Sequence, residues 1–480
     1  MFGYDPNAVI MCSDSFWCSI THPIIASLLI FFVVLTGFAY TTLLERKFIA
    51  IFQQRTGPNR VGPGGFLQPA ADGLKLIFKE DIIPAEAYKA VYYLAPVLKT
   101  VPYLIVFAVM PWGPDVNIPW FNGEWYRVKL GIADVNVGVL WLLAVTSLAT
   151  YGVVLAGWAS NNKYAMLGGL RASAQMISYE LSLGLGIAIP VMIVGSMSVQ
   201  DIVQAQETAV PVLGWFVFQN PLAAAILGIA LLAEVSRTPF DLPEAEQELT
   251  QGYMTEYSGM KFAIFMMAEY LGMIGVSMIW VTMYFGGWGV GGNIVASMPL
   301  LGPVIMIGKI ILVLIFMVWI RATLPRFRYD RLMSFGWKVL LPLAFVAVGW
   351  TAVSLAVGDS FQSPVAYAIS SVIFGVVLVG GAWLLFSARE EQEEVETSLA
   401  DDPVVTGERR GLAPLGLEIL GTPISLLYDA FDKLNEKGKR DRTAIAQELR
   451  EFSSAFGTQK KDDEDEQLPP PAEEAPASGD

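Results

Sequence analysis

Nine apolar segments punctuate this chain, at about residues 23–44, 94–112, 138–157, 172–194, 221–237, 262–285, 302–321, 337–357 and 365–387. Each runs roughly 17–24 residues, which suffices to cross a hydrocarbon core of about 30 Å. Backbone groups in lipid find no water, so such segments close their hydrogen bonds internally as helices. The expected fold class is therefore an all-α polytopic membrane protein. A length of 480 residues would suit several soluble domains, but 54% hydrophobic and only 16% charged residues argue against them. The first segment does not read as a signal peptide. No positive region precedes it, and Glu45, Arg46 and Lys47 follow it directly.

Basic residues orient the spans. None precedes Arg46, whereas 45–89 carries Arg46, Lys47, Arg55, Arg60, Lys75, Lys79 and Lys89. Arg321, Arg326, Arg328 and Arg331 cluster after the seventh span, and the loops 195–220, 286–301 and 358–364 hold no Lys or Arg. The positive-inside rule then puts the N-terminus outside and the C-terminus in the cytoplasm. The expected organisation is an extracytoplasmic segment (1–22), a membrane core of eight spans (23–357) and an extra ninth span (358–388). A cytoplasmic tail (389–461) and an acidic disordered end (462–480) follow. Residues 66–80 repeat Leu67, Ala70, Leu74 and Ile77 at helical spacing, as in a helix lying in the membrane plane. Two further stripes, at 424–434 and 445–456, suggest short docking helices. The GWGVGG run at 287–292 follows a membrane helix rather than a strand, and reads as a loop.

The cytoplasmic side by this orientation carries a concentration of acid. Glu234, Asp241, Glu244, Glu246, Glu248 and Glu256 share 23 residues with one cation, Arg237. At about 5 Å and an effective dielectric near 20, one like-charge contact costs roughly 3 kcal/mol, or about two pKa units. Some of these groups are expected to titrate near neutrality, as a proton path requires. A merely solvated acidic loop is the plainer reading. Against it, acids continue into the adjoining spans as Glu180 and Glu269, where a carboxyl group faces the bundle interior or water, or is protonated. Pro239 is expected to end the fifth span near Arg237 or Thr238, and Asp241 to cap a new helix. Arg321, Arg326 and Arg328 either anchor the positive face or hold the acids ionised.

The chain has two cysteines, Cys12 and Cys18, and one histidine, His22. That is too few for an iron–sulfur cluster or a two-histidine haem. Cys12 and Cys18 either pair as a disulfide or remain free thiols.

Five blocks resemble a known family. They are ERKFIAIFQQRTGPNRVGPGGFLQPAADGLKLIFKE (45–80), GWASNNKYAMLGGLRASAQMISYE (157–180), AEVSRTPFDLPEAEQELTQGYMTEYS (233–258), MAEY (267–270) and WIRATLPRFRYDRLM (319–333). Their order and content resemble the H subunit of bacterial NADH:quinone oxidoreductase, the counterpart of mitochondrial complex I subunit 1, over residues 20–355. The resemblance implies a quinone chamber opening to lipid near the first span, the in-plane helix and the sixth span. It implies a proton path through Glu180, Glu234, Asp241, Glu244, Glu246, Glu248, Glu256 and Glu269, with Arg46, Arg55, Arg237 and Phe240 at the chamber. It also implies a location in the bacterial inner membrane. Expected partners are a hydrophilic arm carrying FMN and iron–sulfur clusters, antiporter-like membrane subunits, quinone and lipid, with no metal on this chain and no nucleic acid. Two alternatives remain, an anchor subunit of a membrane-bound hydrogenase and an autonomous cation/proton transporter.

Overall fold

The apolar segments fold as helices in the computed structural model. Its described residues are 10–12, 15–119, 125–207, 214–241, 249–291 and 298–361, with 295, 367, 369–373, 375 and 376. In chain order the helices are α1 (Phe16–Phe52), α2 (Gln68–Phe78), α3 (Lys89–Val109), α4 (Gly138–Ala159), α5 (Lys163–Val194), α6 (Val199–Ala205) and α7 (Phe216–Gln219). They continue with α8 (Pro221–Glu234), α9 (Gly259–Tyr284), α10 (Leu301–Thr323), α11 (Tyr329–Phe335) and α12 (Leu341–Ser360). A π turn at Gly336–Leu340 joins α11 to α12 as one continuous span. Seven spans among the described residues are long and apolar enough to cross a membrane, and α8 is a shorter apolar eighth. The expected ninth span lies mostly outside the described residues, as do the two tail stripes and 462–480.

The bundle is all-α apart from a small sheet. In the segment 113–137, β2 (Val116–Pro119) pairs antiparallel with β3 (Trp125–Val128), and β1 (Ile10–Met11) adds to β3 in parallel, giving the order β1-β3-β2. Cys12 and Cys18 are disulfide-bonded, which fastens β1 to the first turn of α1. Cys18 is buried against Tyr126 and Val128 of β3.

Burial orders the spans from centre to rim. In α9, 72% of the most apolar window is buried, against 17% in α1, so α9 is the hub and α1 a peripheral span. Small residues bring the inner helices together, as expected where lipid supplies little hydrophobic drive between helices. A Cβ on Gly152 of α4 would stand 2.6 Å from the Lys99 nitrogen of α3. One on Gly168 of α5 would stand 2.6 Å from the Gly252 Cα. The described part of the GWGVGG run, 287–291, is a loop. Gly286 and Gly287 take positive φ there, and Lys309 of α10 donates to the carbonyls of Phe285, Gly287 and Gly289 at 2.7, 2.8 and 2.7 Å.

The fifth span stops three or four residues before the Arg237 or Thr238 expected from Pro239. Helix α8 ends at Glu234, and Ser236 turns left-handed with φ of 55°. Fully buried Gln175 of α5 donates to the Ala233 carbonyl at 2.9 Å and the Phe240 carbonyl at 2.7 Å, so this turn is pinned from a neighbouring helix.

Candidate functional site

Five chain segments converge on a cavity of about 490 Å³, among them the loop before α9 with Gln251 and Met254. The end of α1 contributes Glu45, Arg46 and Ile49. The turn after α8 contributes Arg237 and Asp241, and α9 contributes Phe262, Met266, Glu269 and Tyr270. The end of α10 and the residues after it contribute Arg321 and Arg326. On α9 the residues 262, 266 and 269 share one face at helical spacing, so a single helix rotation presents all three.

Ion pairing organises this cavity. Arg237 Nε lies 2.6 Å from Glu269 Oε1, and Arg237 Nη1 lies 3.4 Å from Glu45 Oε1. Arg321 reaches the same Glu45 oxygen from α10. Arg326 pairs with Asp241 at 3.0 Å, and the Arg237 guanidinium sits 4.6 Å from the Tyr270 ring centroid. Glu45 and Glu269 are each 3% exposed and Arg237 is 8% exposed. Desolvating such charges costs several kcal/mol per ion, so each depends on its partners. Arg46 pairs with Asp72 of α2 at 2.6 Å, which ties the amphipathic helix to the cavity rim. Phe66, Leu67, Leu74, Ile77 and Phe78 on and beside α2 are exposed apolar residues.

The other acids lie in separate settings. Glu180 is in the middle of α5, where Ser147 of α4 donates to its carboxylate. Glu234 is buried at the end of α8, within electrostatic reach of Glu180. Tyr103 of α3 is within electrostatic reach of both Glu234 and Glu269 and is buried between α3 and α9. Glu256 accepts from Asn162 Nδ2 at 2.6 Å, and its main-chain carbonyl accepts from Tyr92 at 2.6 Å. The neighbouring Tyr257 ring stacks on Tyr92 at 4.2 Å, and burial raises its phenol pKa, so it stays protonated. Lys99 donates to Tyr253 at 2.5 Å, fastening the same loop to α3. Glu244, Glu246 and Glu248 lie outside the described residues.

Two of the remaining predicted residues stand away from the cavity wall. Phe240 packs between Tyr179 at 5.7 Å and Phe327 at 5.9 Å, behind the lining. Arg55 stands on the exposed turn after α1 and donates to Gln53 at 2.7 Å. Of the arginines after the seventh span, Arg321 and Arg326 meet acids of the cavity, whereas Arg328 pairs with exposed Asp330 at 3.3 Å. Sequence reasoning missed Glu45 as a site residue. It reads as one more charge flanking a span, and its only local signal is an acid at a helix end otherwise rich in Arg and Lys. Gln175 and Tyr103 carry no sequence signal at all.

The NADH dehydrogenase family pattern matches residues 25–352. The NADH-quinone oxidoreductase H subunit of Protochlamydia amoebophila is 49% identical over 318 residues, covering 66% of this chain and 92% of the relative. The first of the numbered H subunits of Geobacter metallireducens is 48% identical over 326 residues, covering 67% and 94%. The H subunit of Dehalococcoides mccartyi is 44% identical over 359 residues, covering 73% and 94%. The matched region contains every element that builds the carboxylate and arginine cavity, and the chain therefore belongs to the family of NADH-quinone oxidoreductase H subunits, as a membrane subunit of that enzyme complex.

Proposed function

We propose that the Glu45, Arg237, Glu269 and Arg321 cluster lines a quinone chamber and couples quinone reduction to proton translocation. The observation that carries this is one buried guanidinium shared by two buried carboxylates, 2.6 and 3.4 Å away, on the wall of a ligand-sized cavity. Its volume falls within the roughly 300–1,000 Å³ typical of ligand sites. Quinone reduction consumes two electrons and two protons. The electrons come from partner subunits that carry FMN and iron–sulfur clusters. This chain's acids hold and move the protons.

The geometry suggests how. A proton arriving on Glu269 removes its attraction for Arg237 and leaves that cation to Glu45 alone. The charge pattern at the cavity then changes without a large movement, and Tyr103 lies within electrostatic reach of both Glu269 and Glu234. Asp241, Glu244, Glu246, Glu248 and Glu256 belong to the same path on the loop side. Helix α2, held by Arg46 and Asp72, frames the entrance from lipid with its exposed apolar face. The distribution of basic residues supports an orientation with this cavity on the cytoplasmic side, N-terminus outside and C-terminus inside. The hydrophilic arm and antiporter-like subunits are the expected neighbours. The names of the relatives favour this reading over a hydrogenase anchor or an autonomous transporter.

Glu180→Gln tests the path, because glutamine keeps the shape and the hydrogen bond to Ser147 but cannot exchange a proton. The complex should assemble and oxidise NADH with an artificial acceptor at the normal rate. Quinone reduction and proton pumping should both fall. Pumping at the wild-type rate and proton-to-electron ratio would remove Glu180 from the path.

A further inference from the structure

In the middle of α5, Glu180 differs from the other acids in what faces it. Glu45 and Glu269 are paired with Arg237, and Asp241 with Arg326. A guanidinium donates and never accepts, so it supports a carboxyl group in its ionised form alone. Glu256 faces an amide, that of Asn162. The Asn162 oxygen is taken by the Tyr164 N–H at 2.9 Å, so the amide offers Glu256 a donor only. Among the described residues, the one hydrogen-bond partner of Glu180 is the Ser147 hydroxyl of α4, and no cation pairs with it.

A hydroxyl both donates and accepts, but it has a single hydrogen. Ser147 Oγ stands within hydrogen-bond reach of two oxygens. One is Glu180 Oε1, and the other is the Leu143 carbonyl one turn back in α4, at 2.8 Å. With Glu180 ionised, both oxygens only accept, and one hydrogen has to serve the two. With Glu180 protonated, the carboxyl O–H donates to Ser147 Oγ and the serine hydrogen turns to Leu143. Both bonds are then made without displacing either side chain. Turning the hydrogen back to Glu180 costs little, because the Leu143 carbonyl keeps its N–H partner within the helix. Back-bonding of this kind is ordinary for serine in a helix. Ser160, Ser178 and Ser277 do the same at 2.7, 2.6 and 2.6 Å, with no carboxylate at the hydroxyl. A carboxylate arriving from a second helix sets Ser147 apart.

We propose that Ser147 is the positioning residue for Glu180: its hydroxyl donates to the ionised carboxylate and accepts from the protonated carboxyl, so that Glu180 gains and loses a proton in place. The proposal rests on Glu180 lying in the proton path. One proton is exchanged, and Glu180 carries it. Ser147 keeps its own hydrogen throughout and changes only the oxygen to which that hydrogen points.

The test compares Ser147→Thr with Ser147→Val in the whole complex reconstituted into vesicles. The two side chains share a shape and differ in the hydroxyl. Threonine makes the one-turn bond elsewhere in this bundle, as Thr41 does to the Gly37 carbonyl at 2.8 Å. NADH oxidation by an artificial acceptor reports assembly. Ser147→Thr should reduce quinone and pump protons about tenfold faster than Ser147→Val. Infrared difference spectra supply a readout that packing alone does not move. The stretch of the protonated Glu180 carboxyl is the band that Glu180→Gln removes. It should keep its wild-type position in Ser147→Thr and move to higher wavenumber in Ser147→Val, where the hydroxyl is gone. Ser147→Ala carries the same expectations and serves if Ser147→Val does not assemble. Equal rates with and without the hydroxyl would overturn the proposal, as would an unmoved band, or no carboxyl band sensitive to Glu180→Gln. Loss of pumping in Glu180→Gln together with equal Ser147→Thr and Ser147→Val rates would overturn the role of Ser147 alone. Wild-type pumping in Glu180→Gln would overturn the path and this proposal with it.

Discussion

Replacing Glu45 by glutamine should disable quinone reduction more than any other single isosteric change at the cavity. Glu45 and Glu269 balance Arg237 and Arg321, so the buried cluster is neutral as it stands. Glu45→Gln leaves it with one net positive charge. Breaking a buried pair by removing one partner costs about 3–5 kcal/mol. The Arg321 side chain is 36% exposed, so part of its unpaired charge is relieved by turning to solvent. Arg237 keeps Glu269 at 2.6 Å but loses its second carboxylate. The net penalty is then about 2–3 kcal/mol, or roughly a 30- to 150-fold loss. Removing the surplus cation should reverse part of it. Glu45→Gln with Arg321→Gln restores neutrality and should recover about 1 kcal/mol, roughly fivefold. The assay is NADH-driven quinone reduction in native membranes, with NADH oxidation by an artificial acceptor measured in the same membranes as the control for assembly. The two single variants and the double variant complete a double-mutant cycle. A double variant no better than the product of the single losses would show that Glu45 and Arg321 are not coupled. A Glu45→Gln rate within about twofold of wild type would refute the charge-balance reasoning itself.

Gln175→Leu strips donors from two carbonyls, those of Ala233 and Phe240, at about 1–3 kcal/mol per unsatisfied group, so amide exchange at 235–241 should accelerate while exchange at β2 and β3 stays unchanged. Gly152→Ala drives a Cβ into the Lys99 backbone at 2.6 Å and should cost about 1–3 kcal/mol of overpacking, read as a lower thermal midpoint of the extracted complex. Ala70→Trp on α2 should raise the apparent KM for a long-tailed quinone more than for a short-tailed analogue, and equal effects on both would point to general damage instead. Cys12→Ser opens the small ring across β1 and α1, for which the chain-entropy account gives about 2 kcal/mol, so protease resistance of the N-terminal segment should fall while quinone reduction is retained.

Hydropathy and charge, read along the chain, determined the helical class, the positions of eight spans and the crowding of acid near Arg237. These are properties of neighbouring residues, because a helix satisfies its own backbone and its apolar length is countable. Glu180 and Glu269 stood out for the same reason, as carboxylates inside apolar runs. Local rules placed the end of the fifth span near Arg237 or Thr238, just before Pro239, but Gln175, about sixty residues earlier in the chain, holds the turn that ends it at Glu234. The pairing of Cys12 with Cys18 was open in the sequence and settled by where β1 meets α1. The residue that links the ion pairs of the cavity was the least legible. Glu45 looks like one flanking charge among several, and it becomes the shared partner of Arg237 and Arg321 across sequence separations of 192 and 276 residues. No local periodicity encodes that meeting, because the rotation and register of α1, α9 and α10 against one another are set by how small and large side chains interlock across helix faces.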